Sequence, residues 1–138
     1  MLKYAVAWLS TALVFVALDA VWLTNMGGWY RQSLGDLMAP DFRLAPAAVF
    51  YLLFLTGLIV FAVAPALGDG LAATALARGA LFGFFTYATY DLTNQATLAR
   101  WPLKLTLVDL GWGTSLSAAS ATLGFLMASA ILARLTAL

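Results

Sequence analysis

The most constraining feature of this chain is a series of long apolar runs, each close to the length of a helix that crosses a bilayer. The first run, AVAWLSTALVFVALDAVWL at residues 5–23, contains one charged residue, Asp19. About 20 consecutive apolar residues are needed to span the hydrocarbon core as an α-helix. Several such runs within 138 residues predict an all-α, polytopic membrane protein. We expect a four-transmembrane-helix bundle that forms a single domain over residues 1–138.

The composition supports this class and identifies the lipid bilayer as the expected surroundings. Hydrophobic residues make up 64% of the chain and charged residues 9%, with a mean hydropathy of +0.94. A soluble domain carries about 25% charged residues, which keep its surface in water. The net charge of +1 argues against nucleic acid as a partner.

Three residue types are missing, and their absence limits the chemistry. The chain has no Cys, no His and no Glu. Disulfides, thiolate chemistry and the usual general base near neutral pH are therefore excluded. We expect no cofactor and no metal. Any carboxylate chemistry must use the six aspartates: Asp19, Asp36, Asp41, Asp69, Asp91 and Asp109.

The N-terminal segment has two interpretations. Lys3 followed by an apolar run is also the pattern of a secretory signal. The apolar stretch is too long for a signal, however, and no clear small-x-small cleavage site follows it. We therefore predict an uncleaved first transmembrane helix.

Turn signals divide the chain into four predicted spans. The Gly27–Gly28 pair is expected to end the first helix, and Pro65 with the Gly68–Asp69–Gly70 turn is expected to end the second. The predicted spans are residues 3–25, 46–64, a third beginning within 71–78 and ending before Trp101, and 102–130. Residues 26–45 are mixed in polarity and predict an interfacial loop or short surface helix.

Four spans place both termini on the same side of the membrane. The termini side then carries three basic residues and the opposite side four, a bias too small to decide orientation.

The start of the third helix decides whether Asp91 lies inside the membrane. A span over residues 71–90 would leave Asp91 in a loop and place Arg78 near the bilayer centre, which costs about 2.5 kcal/mol or more unless Arg78 is paired. A span from Arg78 to about residue 96 lets that side chain reach the headgroups. The second register is preferred. It places Tyr87, Tyr90, Asp91 and Asn94 on one helical face, which we expect to point into the bundle.

Three acids on three helices then lie at a matching depth. Asp19, Asp91 and Asp109 are each about 10 Å inside the membrane face opposite the termini, from the rise of 1.5 Å per residue. An aromatic residue recurs beside two of them, as Trp22 in LDAVWL and Trp112 in VDLGWG. An intramembrane acid marks a functional site by default. The sequence therefore predicts one polar site shared by these helices.

Three ionised carboxylates cannot lie together in a dry environment. Either one or more of them holds a proton, or a cation neutralises them. Acids beside aromatic rings suit organic cations or protonation-coupled binding. The predicted ligand-binding or proton-coupling residues are Asp19, Asp91, Asp109, Tyr87, Tyr90, Asn94, Trp22 and Trp112. The predicted mouth or headgroup contacts are Tyr30, Arg31, Arg100 and Lys104.

Small residues form two ridges on the last two helices. Gly79 and Gly83 lie one turn apart on the third helix, and Gly113, Ser117, Ala121 and Gly124 follow a similar spacing on the fourth. Such ridges allow close backbone packing in lipid. Packing inside the bundle is favoured over a dimer interface.

The segment YATYDLTNQATLARWPLKLTLVDLGWG resembles a family of small bacterial inner-membrane proteins, domain of unknown function family 2177. The matching features are the YATYDLTN-x-A-T-L-x-x-WP block, the D-x-x-WG of the last helix, Tyr30–Arg31 and FYLLFLTGLIVFAVAPAL. The resemblance implies a four-helix protein of the bacterial inner membrane and does not imply an activity.

Several functions remain open from the residues. The favoured hypothesis is binding or transport of a small polar or cationic solute with proton or cation coupling, in a homo-oligomer. The first alternative is a non-catalytic subunit or assembly factor of a larger membrane complex. The second is a membrane-lipid-processing enzyme that uses the Asp cluster, although no nucleophile motif is present. The acids also fit a structural network, with Asp91 pairing with Arg100.

Overall fold

The computed structural model describes residues 1–137, which form four long helices and no strand. Helix α1 covers Leu2–Leu34 and a 3₁₀ turn, Gly35–Leu37, follows it. The other three are α2 (Leu44–Asp69), α3 (Ala72–Thr97) and α4 (Leu103–Thr136). This architecture confirms the predicted all-α helical bundle.

Three helices are long and apolar enough to cross a bilayer: α1 with its 3₁₀ turn, α2 and α4. Their outer faces expose large hydrophobic side chains; Leu9 and Leu13, for example, are 65% and 64% exposed. In water this surface would have to be covered, so its natural contact is lipid. Helix α3 is more polar, and its 26 residues extend for about 39 Å, which exceeds the hydrocarbon thickness of about 30 Å.

Helix α1 continues nine residues beyond its predicted end, so the prediction that Gly27–Gly28 closes it was wrong. Neither glycine adopts a positive φ. Helical glycine costs about 1 kcal/mol relative to alanine, and that cost is offset by contacts that the extension brings to the bundle, including those of Tyr30 described below. The end is at Gly35, whose φ of 54° lies in the left-handed region that glycine adopts readily.

Helix α2 begins at Leu44 and passes through Pro65, where the sequence predicted its end. A π-helical turn, Ile59–Val63, lies just before this proline. Proline lacks an N–H and its ring crowds the preceding turn, and a local widening of the helix accommodates both effects. The predicted Gly68–Asp69–Gly70 turn is present, with Gly70 at φ 75°.

Helix α3 contains Asp91, as the preferred register predicted, and its end at Thr97 matches. Its start is earlier than Arg78, because Asp69 accepts hydrogen bonds from Leu71 N (2.9 Å) and Thr74 Oγ1 (2.7 Å) and so fixes the first turn. Arg78 is exposed. Helix α4 also extends past its predicted end at residue 130, to Thr136.

The small-residue ridges lie inside the bundle. A Cβ atom added at Gly79 would lie 2.8 Å from Ala121 Cβ, and one added at Gly83 would lie 2.7 Å from Ser117 Cβ. Because such distances are too short for real Cβ contacts, α3 and α4 pack with their backbones close together. Gly124 likewise faces Thr11 of α1.

An aromatic layer separates the tightly packed part of the bundle from the predicted site. Phe15, Phe54, Leu55 and Leu116 form a buried cluster. Tyr51, Tyr87 and Trp112 pack against this cluster from the side of the acids. The cluster therefore forms an apolar floor beneath the polar side chains.

Candidate ligand-binding site

Two acids of the predicted site each accept a hydrogen bond from a tyrosine on another helix. Asp19 of α1 accepts a hydrogen bond from the hydroxyl of Tyr51 of α2 at 2.5 Å. Asp109 of α4 accepts one from the hydroxyl of Tyr30, near the C-terminal end of α1. Both acids are only 8% exposed. The two pairs therefore join α1 to α2 and α1 to α4 at one level of the bundle.

A pair of tryptophans forms one wall beside the acids. The indoles of Trp22 and Trp112 stack with their ring centroids 4.1 Å apart and their planes 6° from parallel. Trp22 Nε1 donates a hydrogen bond to the Tyr30 hydroxyl at 3.1 Å. Each tryptophan follows its acid by three residues, which places acid and indole on one side of their helix. The recurring D-x-x-W pattern thus supplies both halves of this wall.

These side chains line an open-sided cavity of about 320 Å³, called the central cavity below. Its size is within the range of about 300–1,000 Å³ that is usual for small-molecule sites. It is lined by Asp19, Trp22, Leu23, Gly27, Tyr30, Leu34, Met38, Phe50, Tyr51, Tyr87, Asp109 and Trp112. The central cavity is therefore built from all four helices.

No basic side chain neutralises the acids of this cavity within the part of the chain that the structure describes. The one ion pair found over residues 1–137 joins Arg100 to Asp36 at 2.7 Å, and both side chains are more than 70% exposed. Arg100 therefore does not pair with Asp91. Arg31 and Lys104 are also exposed, and neither lines the central cavity.

Asp91 occupies a different position from the other two acids. Its side chain is 0% exposed, and neither of its carboxyl oxygens has a hydrogen-bond partner. It does not line the central cavity. Two of the three predicted acids thus share one cavity, while the third is buried without a partner on α3.

Of the other predicted site residues on α3, one lines the central cavity and two do not. Tyr87 lines the central cavity, whereas Tyr90 is 61% exposed and packs edge-on against Trp101 with a centroid distance of 5.8 Å. Consecutive helical residues are about 100° apart around the axis, so Tyr90 diverges from Asp91. Asn94 is half-buried and does not line the central cavity.

Among the aromatic residues that line the central cavity, the sequence did not predict two and placed a third wrongly. Phe50 and Tyr51 begin the FYLLFLTGLIVFAVAPAL segment of the family resemblance, but this run is apolar and did not indicate a contribution to a polar site. Tyr30 was predicted as a headgroup contact because the first helix was ended too early. The structure instead brings its hydroxyl to Asp109 and Trp22.

A second space, called the α2–α3 groove below, adjoins the central cavity. Its volume is about 420 Å³. It is lined by Phe50, Phe54, Thr86, Tyr87, Tyr90 and Asp109. Phe50, Tyr87 and Asp109 line both spaces. The groove is therefore mainly aromatic and meets the polar site at Asp109.

Fold and site together define a helical membrane protein with an open-sided cavity lined by two buried acids and by aromatic rings. The sequence profile of the family described as "Predicted membrane protein (DUF2177)" matches residues 4–126. The chain belongs to this family, as the resemblance of its YDLTN, WP and D-x-x-WG segments indicated, and the family is one of unknown function. Comparisons with curated proteins and with solved structures found no match.

Proposed function

We propose that this integral membrane protein binds a small organic cation in the central cavity, as the binding step of transport across the bilayer. The supporting observation is that Asp19 and Asp109 are both nearly buried, each has a tyrosine donor, and neither has a basic partner among the described residues. The site has the charge and the ring faces that such a solute requires.

The cost of leaving these acids uncompensated favours a cationic ligand. An ionised aspartate within the hydrocarbon region costs about 2.5–3.5 kcal/mol on insertion scales. A tyrosine hydrogen bond stabilises a carboxylate without cancelling its charge. A bound cation cancels the charge, and the indole and phenol rings around the cavity attract it further through cation–π interactions.

Asp91 is proposed as the group that couples binding to a proton. It has no cation and no hydrogen-bond donor among residues 1–137, and no exposed surface. A carboxyl group in such a place is accommodated most cheaply as the neutral acid. The titratable group that approaches Asp91 from another helix is Asp109 of α4, and Tyr87 and Tyr90 are its titratable neighbours along α3.

The setting of this function is also proposed. Residues 1–138 act as one domain in the bacterial inner membrane, with both termini on one side. Four helices surround only a narrow space, so a homo-oligomer would give a transport pathway a thicker wall. The partner in this arrangement is a second copy of the chain.

The binding test uses tetramethylammonium, a small organic cation, and purified protein in lipid nanodiscs. Isothermal titration calorimetry is expected to show binding that Asp109→Asn and Asp19→Asn each weaken at least tenfold, since each removes half of the attracting charge. Asp41→Asn is the matched control, because Asp41 is exposed and lies outside the central cavity. Equal affinity in all four proteins would refute the proposal.

The coupling test uses proteoliposomes with an imposed pH gradient and radiolabelled tetramethylammonium. Asp91→Asn is expected to retain binding and to abolish gradient-driven uptake, because an amide cannot release a proton. Undiminished gradient-driven uptake by Asp91→Asn would remove Asp91 from the coupling mechanism and leave the binding proposal to be judged by calorimetry.

A further inference from the structure

The α2–α3 groove differs from the central cavity in the chemistry of its walls. Five of its six lining residues present rings or a helix-bonded hydroxyl, and only Asp109 contributes a charge. The hydroxyl of Thr86 is occupied within its own helix, where it donates to Phe82 O at 2.8 Å. The groove therefore offers an apolar path that ends at a carboxylate.

The outer edge of this groove lies on the lipid-facing surface. Phe50 and Tyr90 line it and are 44% and 61% exposed. The first ten residues of α2, 44–53, include none that is buried. These ten residues cover the site incompletely, so the groove opens sideways between α2 and α3. With Asp109 at its predicted depth of about 10 Å inside the membrane face, this opening would meet hydrocarbon and not water.

We infer that the ligand is an amphipathic organic cation that enters from the bilayer, an alkylammonium whose chain lies in the α2–α3 groove. Its charged head lies between Asp109 and Asp19, within the central cavity. Charge complementarity selects this occupant, since a neutral lipid would leave both acids uncompensated and an anionic one would be repelled. This inference rests on the proposed function and specifies the class of its substrate.

Chain length gives the first part of the test. Tetramethylammonium and octyltrimethylammonium carry the same head, and only the second reaches into the groove. Each methylene buried from water improves binding about fourfold, but a chain gains similarly by dissolving in any bilayer. Partition into empty nanodiscs must therefore be measured and subtracted. We expect a residual preference of at least tenfold for the octyl compound.

A matched pair of variants separates the groove from general lipid solubility. Thr86 lines the groove and Thr89 does not, yet both are on α3 and both donate their hydroxyl to the helix backbone. Thr86→Trp fills the groove and is expected to weaken octyltrimethylammonium binding at least tenfold. Thr89→Trp should leave it within twofold. Equal effects of the two substitutions would overturn the inference.

Tetramethylammonium provides the control for folding, because Thr86 lies outside the central cavity. Retained binding of this probe by Thr86→Trp shows that the site has formed. If Thr86→Trp does not fold, Tyr90→Ala removes the outer wall of the groove instead, with the exposed Leu92→Ala as its control. The affinity for octyltrimethylammonium should then fall in Tyr90→Ala and not in Leu92→Ala. Unchanged affinity in both variants would overturn the inference.

Different results would contradict the proposed function and the present inference. If wild type binds tetramethylammonium through Asp109 but shows no groove-dependent preference for the octyl chain, the ligand is a small cation and only this inference fails. If octyltrimethylammonium binds equally well to Asp109→Asn, the acids do not hold the head and both proposals fail.

Discussion

The hydroxyl groups of Tyr30 and Tyr51 can be removed one at a time by substitution with phenylalanine. Tyr51 makes one hydrogen bond, to Asp19, whereas Tyr30 donates to Asp109 and also accepts from Trp22. A hydrogen bond to a charged group contributes about 1.5–3 kcal/mol, and one between neutral groups contributes about 0.5–1.5 kcal/mol. We expect Tyr51→Phe to lower the free energy of unfolding by about 1.5–3 kcal/mol and Tyr30→Phe, which loses a bond of each kind, by about 2–4 kcal/mol.

The measurement is reversible unfolding in mixed micelles at neutral pH, followed by circular dichroism. Tyr4→Phe is the control, since Tyr4 is 44% exposed near the N-terminus and lines neither the cavity nor the groove. A double-mutant cycle with Asp19→Asn isolates the Tyr51–Asp19 coupling energy. Losses no larger than that of Tyr4→Phe, or a coupling energy near zero, would refute the paired arrangement of acids and tyrosines.

Three further predictions concern packing, surface charge and the buried acid. Gly83→Ala would bring its Cβ into the backbone oxygen of Gly113, so α3 and α4 would have to separate, and the substitution should destabilise the protein by about 1–3 kcal/mol. Gly111→Ala, with nothing within 4 Å, should be neutral or stabilising in the same unfolding assay. Arg100→Gln breaks the exposed pair with Asp36 and should leave the unfolding midpoint unchanged at physiological salt, because exposed ion pairs contribute little. Asp91→Leu removes a buried group without partners and should stabilise the fold by about 1–3 kcal/mol, while a loss of stability would indicate an unseen partner.

The sequence predicted the features that depend on hydropathy alone. Lipid solvation fixes the apolar runs as helices, since every backbone polar group must be satisfied within the segment. The cost of burying Arg78 led to a third helix that includes Asp91, as found, but the predicted start near Arg78 was wrong because the helix begins at Ala72. The depth of Asp19 and Asp109 followed from counting residues, and the structure brings these two acids to one cavity.

Helix ends were less predictable, because local signals compete with tertiary contacts. Gly27–Gly28 has the composition of a helix stop, and Pro65 has the chemistry of one. In the structure the helices continue through both positions. The first is compensated by the contacts of Tyr30, and the second by the π-helical turn at Ile59–Val63. Neither of these compensating features can be predicted from the adjacent residues in the sequence, because both form only in the folded bundle.

Partners across helices depend on register, and here the small residues determine it. Along α1, Thr11 meets Gly124, Trp22 meets Trp112 and Tyr30 meets Asp109. The numbers rise on α1 while they fall on α4, so the two helices are antiparallel. Because Gly124 lets the backbones approach closely at one end, the indoles beyond it come within stacking distance, and an acid on each helix is left beside them. A side chain larger than glycine at position 124 would therefore widen the site from 12 residues away along α4, without touching any residue that lines it.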